Sequence, residues 1–155
     1  MGDTLRKRIQ QNRFESPVQE AILNILVAAG HIRERVNRLC AVHDISNTQF
    51  NVLRILKGGP AEGYPRHEIQ ERMLERAPDV TRLIDRLEMR GLAERGRSDT
   101  DRRLSVTKIT PAGLKLLDEL QPHIAVLMDE LATRLDDKDC HELSRICERL
   151  YSDGE

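Results

Sequence analysis

Seven arginines fall between residues 82 and 103 (Arg82, Arg86, Arg90, Arg95, Arg97, Arg102 and Arg103), with no lysine among them. A guanidinium is planar, permanently charged and forked. It can pair with guanine O6 and N7 in a major groove, or enter a narrow minor groove where negative potential is concentrated. Asp101 stands beside Arg102 and Arg103, where a carboxylate can hold an arginine in place by a charge-assisted pair. Other chemistries lack their residues. His31, His43, His67, His123 and His141 share no ligand spacing with Cys40, Cys140 and Cys147, and there is no Cys-x-x-Cys pair, so no metal is expected. Neither a Walker-type loop nor Gly-x-Gly-x-x-Gly is present, and Gly58-Gly59-Pro60 suits a helix stop better than a phosphate cradle. No Ser/His/Asp or Cys/His pairing has local support, so neither an enzyme nor a cofactor is expected. One thiol stands as a redox candidate: Cys40 lies near His43, which would lower its pKa, against the plainer reading of a buried, inert cysteine. Cys140 and Cys147 suit core or subunit packing.

The elements that must position these arginines follow from apolar spacing. Ile22, Ile25, Ala29, Ile32, Val36 and Leu39 advance by three or four residues, which predicts an amphipathic helix from about Pro17 to Cys40. Core packing explains most of such a stripe, and the helix's length suggests that part of it meets a second subunit. Ser46 with Gln49 forms a capping-box pattern before a helix that buries Phe50, Leu53 and Leu56. A loop or edge strand lies between Pro60 and Pro65, and a short helix carrying Ile69 and Met73 follows. Val80, Leu83, Ile84 and Leu87 predict the next helix, with Pro78 in its first turn and Gly91 at its left-handed end. With that stripe facing inward, Thr81, Arg82 and Arg86 face outward, near the helix start that a recognition helix presents to base edges.

Beyond Gly91 the period shortens. Leu92–Gly96 and Leu104–Ile109 flank a polar, charged tip, which predicts a β-hairpin bearing Arg97, Asp101, Arg102 and Arg103. Thr110-Pro111 then caps a long helix with Leu117, Leu120, Ile124, Leu127 and Leu131 on one face and a kink expected at Pro122. A last helix, about Lys138 to Tyr151, aligns Cys140, Leu143, Cys147 and Leu150. The expected fold is mainly α with a small β-hairpin wing: a winged helix-turn-helix flanked by N- and C-terminal dimerisation helices.

The 155 residues carry a net charge of −1, which taken whole argues against a nucleic-acid binder. Divided by segment, residues 1–63 carry +3, 64–110 carry +2 and 111–155 carry −6. Aromatics are few (Phe14, Phe50, Tyr64 and Tyr151), so the core is aliphatic. The longest apolar stretch, Ala21–Ala29, contains Asn24 and is about half a membrane span, and no apolar run follows the basic residues at the start. A cytoplasmic protein with no membrane partner is expected.

Three segments, in this order and at these separations, resemble the MarR family of bacterial transcription regulators: Val80–Leu92, Asp101-Arg102-Arg103, and Ile109-Thr110-Pro111-Ala112-Gly113. The stretch from Ser46 to Leu53 is similar too, and the likeness spans roughly residues 17 to 150. The resemblance implies a homodimer on a palindromic double-stranded DNA operator, with residues 1–43 and 111–155 dimerising and 44–110 binding DNA. It implies that Arg103 enters the minor groove with Asp101 as its positioning partner, and that Thr81, Arg82 and Arg86 occupy recognition-helix positions. It further implies a repressor released by a small aromatic or phenolic effector, or by oxidation, with the effector cavity where the dimer helices meet the winged domain. Asp79 stands where the family has a small-residue turn: it either faces DNA or stabilises the helix N-terminus through the dipole. The peroxide-sensing branch keeps its cysteine near the start of the first long helix, and residues 1–39 contain none. The competing function is a winged-helix module that binds an acidic protein instead of DNA.

Overall fold

The computed structural model describes residues 3–75, 79–98, 101 and 103–152. Its elements run α1 (Asp3–Ile9), α2 (Pro17–Ala41), α3 (Asn47–Lys57), β1 (Tyr64–Pro65), α4 (Arg66–Arg72), α5 (Val80–Met89), β2 (Ala93–Arg97), β3 (Ser105–Ile109), α6 (Pro111–Ala132) and α7 (Asp137–Tyr151). This is the mainly helical, winged architecture that the spacing predicts.

Helix starts are set by side chains that satisfy otherwise unpaired N–H groups. Ser16 accepts the Gln19 N–H at 3.1 Å, and Pro17 occupies the first turn of α2, where a missing N–H costs nothing. Ser46 and Gln49 form the expected reciprocal capping box on α3, at 3.1 and 2.9 Å. Each such cap contributes about 1 kcal/mol. The expected start of α5 needs correction. Val80 is its first residue and Asp79 its N-cap, accepting the Arg82 N–H at 3.0 Å. Pro78 therefore precedes the cap instead of sitting in the first turn, and it lies outside the described residues. Gly91 ends α5 at φ 66°, and its N–H reaches the Glu88 carbonyl at 2.8 Å. α6 runs through Pro122 as one helix, without the bond an N–H there would make to residue 118.

The three strands form an antiparallel sheet in the order β1-β3-β2, with Arg95 opposite Thr107 and Arg97 opposite Ser105. Residues 60–65 thus end in an edge strand, the place where Pro65 is tolerated. Gly63, at φ 93°, brings the chain against β3 so closely that a Cβ would run into the Thr107 carbonyl.

One aliphatic core joins α3, α4, α5 and the wing base to the ends of α2 and α6. Val52, Leu53, Ile69, Ile84, Leu87 and Leu120 are its most deeply buried members, with Cys40 beside them. It is continuous across residues 43/44 and 110/111. The long stripes differ from simple core packing. On α2 only the C-terminal part (Val36, Leu39 and Cys40) joins the core, while Ile22 and Ile32 of the stripe are each 38% exposed and Val18 and Leu26 beside it 70% and 63%. α7 buries nothing: Cys140 and Leu143 are exposed and Cys147 half-buried, so core packing does not account for those cysteines. α1 was not legible from periodicity; Leu5 alone anchors it. Arg35 ties α2 to Glu130 of α6, and that contact holds the Glu130 carboxyl below its ordinary value. Among the described residues no helix is long and apolar enough to cross a membrane.

Candidate nucleic-acid interface

α5 is sharply two-sided. Val80, Ile84 and Leu87 are buried, whereas Thr81, Arg82 and Arg86 are exposed, as their spacing requires. Asp79 does two things at the helix start. One oxygen caps the helix, and the other pairs with the Arg82 Nε at 2.9 Å. The Arg82 side chain remains 80% exposed. An exposed pair of this kind is worth about 0–1 kcal/mol, so Arg82 can leave it for a base or a phosphate at little cost. Of the two readings of Asp79, facing DNA or stabilising the helix N-terminus, its contacts match the second.

The remaining arginines divide by what stands next to them. Arg90, at the end of α5, donates to the carbonyls of Asp44 and His43 at 2.5 and 3.0 Å. It holds the α2–α3 connection, where Asp44 adopts φ 55°. Arg95 on β2 bridges two carboxylates of α5, Asp85 at 2.5 Å and Glu88 at 2.8 Å, and its own N–H donates to Glu88 at 3.0 Å. Arg86, Arg97 and Arg103 have exposed side chains with no carboxylate partner among the described residues. Arg102 lies outside the described residues. Arg95, Arg97 and Arg103 line one concave strip of the wing with Gly96, Leu104 and Ser105.

The wing tip is tied down by contacts that the sequence did not reveal. Ser98, buried at the end of β2, donates its hydroxyl to Glu62 at 2.9 Å and accepts the Asp101 N–H at 3.3 Å. Its own N–H reaches the Leu104 carbonyl at 3.0 Å, and the Leu104 N–H the Asp101 carbonyl at 2.9 Å. Asp101 positions Arg103 in a way that differs from the expected guanidinium pair: its carboxylate accepts the Arg103 backbone N–H at 2.9 Å. The turn is shaped and the guanidinium is left unengaged. Glu62 lies far from Ser98 in sequence and has no motif around it, so no local pattern could have linked them.

Cys40 is a correction. The thiol is fully buried in the core, and burial pushes its pKa up to about 11, the reverse of what a redox thiol needs. His43 instead lies 3.7 Å from Glu119 of α6.

A cavity of about 560 Å³ opens between α2, α3 and α6. Ile32, Val36, Phe50, Ile124 and Met128 give it apolar walls, and Arg33, Arg54 and Glu75 add charge. Arg33 pairs with Glu75 at 2.7 Å, joining α2 to the segment that leads to α5.

The family model described as "MarR family" matches residues 45–105. The transcriptional repressor MprA of Escherichia coli (strain K12) is 30% identical over 153 residues, covering 94% of this chain and 84% of MprA. A crystal structure of a MarR transcription factor from Planctomyces limnophilus is 35% identical, covers 88% of this chain and 98% of that one, and superposes with a TM-score of 0.65. The repressor CouR bound to a 23-mer DNA duplex is 26% identical, covering 83% of this chain and 89% of CouR with a TM-score of 0.71. CouR from Rhodococcus jostii RHA1 bound to p-coumaroyl-CoA shares the fold at 18% identity, covering 92% and 99% of the two chains with a TM-score of 0.77.

Proposed function

The chain belongs to the MarR family of transcription regulators, and from that premise we propose that it is a dimeric repressor of a palindromic operator. In this reading Thr81, Arg82 and Arg86 enter the major groove while Arg97, Arg102 and Arg103 of the wing reach the adjacent minor groove. The observation that carries it is the division of the arginines. Arg82, Arg86, Arg97 and Arg103 are exposed and unneutralised or only weakly paired, whereas Arg90 and Arg95, exposed as well, are engaged by carbonyls and carboxylates of neighbouring elements. Wing arginines suit the minor groove because its negative potential rises as it narrows.

Residues 1–43 and 111–155 form the dimer, which covers the bare stripes of α2 and α7. Residues 44–110 meet DNA. The cavity between α2, α3 and α6 takes a small effector with an aromatic or otherwise apolar body, and its occupation releases the operator. Oxidation of Cys40 is no part of this mechanism. The experiment is selection of duplexes from a random pool by the full chain. A palindrome with half-sites about one helical turn apart is expected. In the same assay Arg82→Ala should relax base preference at one position in each half-site. Equal weakening on all duplexes would assign Arg82 to phosphate instead, and no enrichment of any duplex would favour a protein-binding module.

A further inference from the structure

Building on the DNA-binding reading above, we infer that Arg95, Asp85 and Glu88 form a positioning clamp that fixes the angle between the wing and α5. None of the three acts by touching DNA. The strand's alternation aims them at one another. Ala93 goes into the core, Arg95 two residues on faces α5 on the same side, and Arg97 continues along that face toward the tip. Asp85 and Glu88 lie one helical turn apart on α5. One guanidinium meets both carboxylates, at 2.5 and 2.8 Å. β2 is the outer strand of the sheet, so its outward N–H groups have no strand partner, and the second Glu88 oxygen takes the Arg95 N–H at 3.0 Å.

Charge makes the arrangement informative. Two carboxylates and one guanidinium leave a net negative cluster beside arginines that must meet phosphates. Attraction to DNA would be stronger without Asp85 and Glu88, so their presence there needs another cause. A wing fastened only through its strand pairing would lose orientational freedom when helix and wing enter neighbouring grooves together, and that loss weakens binding. The clamp removes the freedom before DNA arrives.

The test reverses the sign that electrostatics alone gives. Asp85→Ala/Glu88→Ala is compared with the wild type on two duplexes, one selected by the wild-type chain and one random sequence of equal length. Removing negative charge should by itself tighten both complexes. The clamp requires the selected duplex to be bound about tenfold more weakly, equivalent to about 1.4 kcal/mol. The random duplex should be bound equally or more tightly. A general loss of folding would weaken both together, and unfolding midpoints check it directly; Arg95→Met, which keeps the strand's side-chain volume, gives a second route to the same comparison. Arg95→Ala should weaken the selected complex to a similar degree alone and add nothing in the double-variant background, since all three groups act as one unit. A double variant that binds the selected duplex as tightly as wild type overturns the clamp. An Arg95→Ala loss that persists undiminished in that background also overturns it, because the arginine would then be a direct contact. If the wild type binds neither duplex, the DNA-binding reading fails, and the clamp with it.

Discussion

Arg90 and Arg103 belong to the same charged stretch, yet Arg90 gives its fork to the carbonyls of His43 and Asp44 while Arg103 keeps only a backbone contact to Asp101. Sequence shows the residue types and the side of α5 on which Thr81, Arg82 and Arg86 lie, because helical spacing fixes both. It does not show partners. Arg95 meets Asp85 and Glu88, and Ser98 meets Glu62, only after a strand and a loop have been brought together. Cys40 illustrates the same limit: its neighbour in sequence, His43, suggested activation, whereas the core that encloses it does the opposite. With the pKa pushed up to about 11, the thiol stays protonated well past neutral pH. At pH 8 only about one part in a thousand is thiolate. Iodoacetamide should therefore leave Cys40 unmodified in the folded protein and modify it in denaturant. Modification of folded Cys40 at the rate of an open thiol would contradict its assignment as inert.

The apolar stripes of α2, α6 and α7 have one spacing and three fates. That of α6 is largely covered within the chain, that of α2 only toward its C-terminal end, and that of α7 not at all. Periodicity identifies a stripe but not the surface that covers it, and on α2 the core covers only the C-terminal part. Caps were the most legible feature: Ser46 with Gln49, Thr110 and Gly91 all act as their spacing requires. The start of α5 was not, because Pro78 and Asp79 each fit a helix-start rule, and the carboxylate that reaches the Arg82 N–H decides between them. α1 offered no stripe to read. If a second copy covers α7, Leu143 and Leu150, 48% and 56% exposed, are natural contacts. Leu143→Ala/Leu150→Ala removes four side chains per dimer, each worth about 1.5–3 kcal/mol when fully buried. Sedimentation equilibrium should show the dimer dissociating at least about a hundredfold more readily. An unchanged dimer constant would place the interface elsewhere.

At the scale of the molecule, the net charge of −1 averages over surfaces with different work. The segment carrying −6 coincides with α6 and α7, which the dimeric reading places away from the duplex, while the winged segment carries only +2. Even that +2 understates the contact surface, since Arg90 and Arg95 are engaged by carbonyls and carboxylates of neighbouring elements and Arg86, Arg97 and Arg103 are not. The salt dependence of duplex affinity counts such contacts, because each neutralised phosphate contributes about −0.9 to the log–log slope. In a symmetric dimer every removed contact is removed twice. The most direct measurement is that slope for wild type, Arg97→Ala, Arg103→Ala and Arg90→Ala on the selected duplex. Arg97→Ala and Arg103→Ala should each flatten the slope by roughly 1.8, with Arg90→Ala leaving it unchanged. A slope insensitive to Arg97 and Arg103, or flattened equally by Arg90→Ala, would contradict the assignment of these arginines.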